Sequence, residues 1–278
     1  MEGLAAGLAK QRFCEAIISL REQDNRVALD KMNLALSGGL ADATCGLMLL
    51  KTFAARSNKY DEIIQELEVT LHRLAERPTT LQISAYGTYL LGRSYAYFGI
   101  KNESSMSNFF RVALKTTLRN ELLEKASSLY MQCIARDASF VDAVFELGLV
   151  HDVGLNSRAI AIEAYEIVTE LNPDHALARR NLSSLYNETK QFEEAQEEAE
   201  HLVRLNPNAI TYGTLSEIYA RQKMTKEAWL AARAAKSLPG QREVRKESSS
   251  RAYLLSPETV ALVPEPKLSQ QLPAHSEY

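Results

Sequence analysis

Two copies of the tripeptide Leu-Asn-Pro, at residues 171–173 and 205–207, stand 34 positions apart with almost only helix-forming residues between them. Proline has no N–H to continue a helical hydrogen-bond ladder, and it disfavours helix in the residue before it, so each copy reads as a stop. Between the stops, Arg179, Leu182, Ser183 and Tyr186 recur at i, i+3, i+4 and i+7, one face of a helix. Ala195, Ala199 and Leu202 recur at steps of four and three and mark a second helix. The polar stretch Asn-Glu-Thr-Lys-Gln at 187–191 lies between them and has the length of a turn joining antiparallel helices. The unit is a helical hairpin whose apolar stripes one copy cannot bury alone. Stacking copies buries them, so such units come in series.

Further copies follow the same arithmetic. Leu182-Ser183 with Tyr186 is echoed by Leu215-Ser216 with Tyr219, by Leu147-Gly148 with His151, and by Leu91-Gly92 with Tyr95. Second helices carry Ala195, Leu202 and then Pro207; Ala228, Ala235 and then Pro239; and, after one extra residue, Ala161, Tyr165, Val168 and then Pro173. The small residues belong where the two helices of a hairpin cross most closely. Upstream, Ala126, Tyr130 and Cys133, the stretch 58–74, and Ala28, Met32 and Ala35 read as further second helices. Between Gly99 and Ala126 there is chain for one helix and part of another, so two hairpins are expected to share about three helices.

These residues resemble the tetratricopeptide repeat over roughly 4–238. A pentatricopeptide array, the rival of similar length, would be more basic and would lack the Leu-Gly/Ser-x-x-Tyr signature. The resemblance implies an all-α, right-handed α-solenoid of antiparallel helical hairpins, with degenerate hairpins over 4–137, three well-matched units over 138–238 and a disordered tail over 239–278. Five of the eight prolines lie at or beyond Pro239, beside the serine run 248–250. The apolar stretch 253–263 is a candidate cap for the last hairpin or a short docking segment.

Composition closes off other classes. A net charge of −3 argues against nucleic acid as the main partner, since phosphate-binding domains present a basic face. No run of 18 apolar residues is present, so no membrane insertion is expected. The first residues lack the basic region and clean apolar stretch of a secretory signal. Cys14, Cys45 and Cys133 are odd in number and far apart, as in a reducing, cytoplasmic setting.

No pattern points to an enzyme, a metal or a cofactor. The histidines form no HExxH pair. His151, standing where tyrosine stands in other copies, reads as a core histidine with one hydrogen bond; the functional alternative is a ligand or pH sensor with Asp152. The acidic run 193–200 places Glu193 with Glu197 and Glu194 with Glu198 at i, i+4, and reads as the solvated face of a second helix.

The resemblance further implies that first helices line a concave groove. Carried onto this chain, the groove-facing residues are Tyr86, Tyr89, Arg93, Tyr97, Asp142, Phe145, Arg180, Asn187, Glu188, Glu217 and Arg221, with Asp152 beside them. Aromatics with both charge signs suit a peptide segment or helix of a protein partner. The carboxylate clamp of chaperone adaptors is not expected: Asn181 fills one of its positions, but Phe145, Leu149, Ile210 and Thr214 stand at the others. The expectation is a non-catalytic interaction scaffold or adaptor. The alternative is a constitutive structural subunit of a larger protein assembly, recognisable by exposed apolar surface on the N-terminal half.

Overall fold

A computed structural model describes residues 2–22, 24–54, 60–76, 83–101 and 109–238. The expected tail, with its serine run and apolar stretch, lies outside the described residues. Among those described the chain is all-α. The helices are α1 (Glu2–Arg21), α2 (Asn25–Ser37), α3 (Asp42–Ala54), α4 (Tyr60–Ala75), α5 (Ala85–Lys101), α6 (Phe109–Arg136), α7 (Val141–Leu149), α8 (Arg158–Leu171), α9 (Ala176–Glu188), α10 (Phe192–Leu205), α11 (Ala209–Arg221) and α12 (Thr225–Ser237). A π-helical turn, Val150–Gly154, follows α7 directly.

Packing divides the described chain inside α5, with residues up to Tyr97 in one compact unit and those from Phe98 to Leu238 in another. In the first unit α1 packs on α2, α2 on α3 and α3 on α4. In the second each helix from α6 to α12 packs on the next in chain order. Hairpins stacked in sequence order are the arrangement of an α-solenoid.

The two Leu-Asn-Pro copies end α8 and α10 in the same way. Asn172 and Asn206 are extended, at φ −139°, ψ 88° and φ −146°, ψ 82°. Each N–H still bonds one turn back, to Val168 O at 2.8 Å and Leu202 O at 3.0 Å. The next helix then begins on a side-chain cap. Asn208 Oδ1 accepts from the N–H groups of Ile210 and Thr211, while Thr211 Oγ1 accepts from the Asn208 N–H. At α9 the cap is His175, whose Nδ1 accepts from the Ala178 N–H at 3.1 Å.

The hairpin turns before α8, α10 and α12 each hold one residue in the left-handed region: Asn156 (φ 53°), Lys190 (φ 66°) and Lys223 (φ 63°). The residue after it donates back to the carbonyl of the signature residue: Gln191 N–H to Tyr186 O at 2.8 Å, Met224 N–H to Tyr219 O at 2.9 Å, and Ser157 N–H to His151 O at 2.7 Å. These are Schellman-type closures, in which a left-handed residue lets the helix carbonyls find donors.

The core of the second unit is built from interlocked large and small side chains. Ala161, Ala164, Tyr165, Val168, Ala178, Leu182, Leu185, Ala195 and Ala199 are buried in one cluster. A methyl on Gly148 would sit 2.7 Å from the Tyr165 ring, which is why the signature's second place is small here. Truncating a buried leucine such as Leu182 to alanine removes about 2–5 kcal/mol in cores of this kind. All three cysteines are buried. Burial, with Asp137 nearby, pushes the Cys133 thiol up to about 12, so it is held as the inert thiol.

The region from Gly99 to Ala126 departs from the expectation of two hairpins sharing three helices. A single helix, α6, runs for 28 residues and contains Ala126, Tyr130 and Cys133. No glycine or proline interrupts it. Arg119 ties it to the end of α5 by donating from Nε to Gly99 O at 3.0 Å, and reaches Val153 O in the π-turn at 3.3 Å.

Candidate partner-binding surface

The signature residue of each first helix reaches back to the second helix of the preceding hairpin. Tyr219 Oη donates to Glu200 Oε1 at 2.8 Å, and Tyr186 Oη donates to Glu166 Oε1. On α5 the Tyr95 hydroxyl is buried with the Glu68 carboxylate of α4 acting on it electrostatically, without a hydrogen bond of that geometry. His151 makes the corresponding contact through Nε2, 2.9 Å from Ser127 Oγ on α6. Burial and the facing carboxylate push the Tyr219 phenol up to about 12, and raise Tyr186 and Tyr95 in the same direction. Tyr186 and Tyr219 therefore stay protonated and donate at any working pH.

A second set of bonds braces the α9 hairpin. Arg179 donates from Nε to Pro173 O and from NH1 to Glu198 Oε2, both at 2.6 Å. Asn181 donates to Tyr165 Oη at 3.1 Å. The one residue that fits a carboxylate clamp is thus buried and engaged inside the hairpin stack. Glu198, read from sequence as part of a solvated face, is half-buried in its ion pair, while Glu193, Glu194 and Glu197 are exposed.

The eleven groove candidates fall into two groups. Tyr89, Arg93, Tyr97, Phe145 and Asn187 are buried. Arg93 lies over the Tyr89 ring, with its guanidinium carbon 6.0 Å from the ring centroid. Tyr97 stands edge-on to Phe53 at 5.1 Å, and Phe145 packs on Tyr165 at 5.6 Å and His175 at 4.7 Å. Asn187 Oδ1 and His151 Nδ1 are buried without a hydrogen-bond partner. Asp152, the sequence partner of His151, is buried as well.

Of the others, Tyr86, Asp142 and Arg180 are half-buried, and Glu188, Glu217 and Arg221 are exposed. Glu188 pairs with Arg158 at 3.5 Å and Glu217 with Arg221 at 3.1 Å. Exposed pairs of this kind are worth little to stability and are free to exchange partners.

Two surface features were not anticipated from the sequence. Trp229 on α12 is 59% exposed, with Arg233 stacked 5.4 Å from its ring centroid. A shallow cavity of about 580 Å³ is lined by Thr116, Thr117, Asn120, Glu121 and Glu124 of α6. Among the described residues no group of three or more His, Cys, Asp or Glu could hold a metal ion, and no helix is long and apolar enough to cross a membrane.

Residues 181–208, from the first helix of one hairpin through the second Leu-Asn-Pro, match the family model of the tetratricopeptide repeat. The chain carries a tetratricopeptide repeat. Solved structures share the architecture. One described as the functional characterization of Pseudomonas aeruginosa pilF aligns at 14% identity with a TM-score of 0.52, covering 88% of this chain and 98% of that one. The crystal structure of MamA protein aligns at 15% identity with a TM-score of 0.51, covering 77% and 97%. These likenesses are of fold. No match was found among curated proteins. The matched tetratricopeptide unit contains Asn181, Tyr186, Glu198 and Glu200, so both kinds of brace described above run through it.

Proposed function

We propose that this chain is a non-catalytic protein-interaction scaffold whose first helices α7, α9 and α11 present a surface to a peptide segment or helix of a partner protein. The observation that supports this reading is the pairing of rigid joints with exchangeable charges. The signature residues His151, Tyr186 and Tyr219 lock each first helix to the hairpin before it. On the same helices Asp142, Arg180, Glu188, Glu217 and Arg221 remain at least partly open to solvent. A pre-organised surface of mixed charge gives specificity and fast encounter at low ordering cost. The buried thiols fit work in a reducing, cytoplasmic compartment.

The test is capture of partners and probing of a peptide array with the intact chain beside an Arg180→Glu/Arg221→Glu variant. Ligands lost from the variant at unchanged helix content support the reading. A stable partner set indifferent to it overturns the surface.

A second reading, a constitutive subunit of a larger assembly, has its own observation. The 13-residue α2 exposes Leu29 (42%) and Leu36 (37%) on one edge and Val27 and Leu34 on the other. Under that reading the chain made alone aggregates, and co-expression with its assembly restores it.

A further inference from the structure

The first hairpin carries an open face whose pattern is its own complement. Leu8, Gln11, Glu15 and Ile18 fall on one stripe of α1, at steps of three, four and three, and Val27, Lys31 and Leu34 on one stripe of α2, at steps of four and three. The two stripes are joined at their middle by Lys31 Nζ and Glu15 Oε2, 3.2 Å apart, and Gln11 Nε2 donates to the other Glu15 oxygen at 3.0 Å. Around that ion pair stand four aliphatic side chains that water reaches: Leu8 at 45%, Ile18 at 42%, Val27 at 37% and Leu34 at 47% exposed. The hairpin is antiparallel, with Gly38 against Ala9, so Leu8 and Leu34 mark one end of the face and Ile18 and Val27 the other.

We infer that this face binds the same face of a second copy about a two-fold axis that lies in the contact plane, parallel to the helices and midway between Glu15 and Lys31. Rotation by half a turn about that axis lays Glu15 of one copy over Lys31 of the other, and the reverse. The four charges then alternate in sign. The same rotation sets Leu8 on Leu34 of the second copy and Ile18 on Val27. Isologous contacts require this kind of self-complementarity. A heterologous partner would need no such match. α1, with 20 residues, is about 30 Å long and α2, with 13, about 20 Å. At about 10 Å apart, the face they share offers roughly 400 Å² per copy, or about 800 Å² in total, the size of a weak, reversible contact. The inference is independent of the groove on α7, α9 and α11.

Sedimentation of the intact chain from about 1 to 100 micromolar tests it. Wild type shows a reversible monomer–dimer equilibrium in that range. Leu34→Lys, Glu15→Lys and Lys31→Glu each weaken it at least about tenfold, because each places like charge or a buried charge at the contact. Mixing Glu15→Lys with Lys31→Glu chains restores association to within about threefold of wild type, since each variant then faces its complement. Circular dichroism verifies that helix content is kept. The double reversal Glu15→Lys/Lys31→Glu, which rebuilds the ion pair within each chain, also dimerises and replaces any single variant that loses helix. A wild type that stays monomeric throughout overturns the inference. So does a dimer indifferent to Leu34→Lys, or a mixture that associates no better than its components.

Discussion

Tyr219 on α11 donates its hydroxyl to Glu200 on α10 at 2.8 Å, across the junction between one hairpin and the next. The junction before it repeats the bond as Tyr186 to Glu166. A signature usually read as packing is here also a row of charge-assisted hydrogen bonds between consecutive units. Removing the Tyr186 bond takes a donor from half-buried Glu166, whereas Glu200 keeps a second donor, Gln196 Nε2, at 2.8 Å.

Tyr186→Phe and Tyr219→Phe are therefore expected to cost about 1.5–3 kcal/mol each, the range for hydrogen bonds to charged groups, with Tyr186 nearer the upper end because it is the more buried. Urea unfolding followed by far-ultraviolet circular dichroism measures this. The double variant should lose less cooperativity than a core truncation, because ring burial is kept. Costs below the scatter of the measurement would show the bonds to be incidental.

Lys190→Gly and Lys223→Gly should each stabilise the chain by about 0.5–1 kcal/mol, since both positions hold an L side chain at positive φ. The same change at exposed Glu197, inside α10, should cost about 1 kcal/mol. Opposite signs for the same replacement residue, read from unfolding midpoints, are the expected outcome.

Gly148 and Gly213 make a second contrasting pair. A Cβ at Gly148 meets Tyr165 Cε1 at 2.7 Å, whereas one at Gly213 meets nothing within 4 Å. Gly148→Val should destabilise by about 1–3 kcal/mol through overpacking. Gly213→Ala should stabilise by about 0.5–1 kcal/mol. Thermal denaturation of the two variants checks both signs at once.

Acid should loosen the second unit through two histidines. Burial holds both His175 and His151 below their ordinary 6.5, so the unfolded chain binds their protons more readily than the folded one. Their contribution is complete above that value and is lost as pH falls below it, through the folded values. At His175 protonation also removes the α9 cap, because a protonated Nδ1 cannot accept from the Ala178 N–H. His175→Asn keeps a capping oxygen and does not titrate, so it should flatten the decline in unfolding free energy between about pH 7 and pH 5. A slope equal to that of wild type would remove His175 from the account.

The hairpins from α7 to α12 were legible because each carries its stops and small residues in plain sequence: Pro173 and Pro207 after extended asparagines, and Gly148 and Ser183 at close crossings. Helix α6 was harder to read. Between Phe109 and Arg136 nothing punctuates the chain, and a pattern matched to short helices divides what the backbone runs through. The surface was less legible than the scaffold. Tyr89, Arg93 and Tyr97 sit on a helix apolar on almost every side, where periodicity does not separate an inner face from an outer one; Arg93 is enclosed despite its charge. The exposed aliphatics of α2 were hidden for the converse reason. Val27 and Leu34 flank the buried Ala28, Met32 and Ala35 closely enough to look like one broad core stripe.

The π-turn at Val150–Gly154 has a bearing on how such a chain tolerates change in length. Where Tyr186 and Tyr219 accept the closing bond from the fifth residue on, His151 accepts it from the sixth, Ser157. The single extra residue is taken up within one widened turn of backbone, and α8 still starts in phase with the helices that follow. The turn works as an expansion joint: the extra residue is absorbed there, and α6, α7, α8 and α9 still pack on one another in chain order.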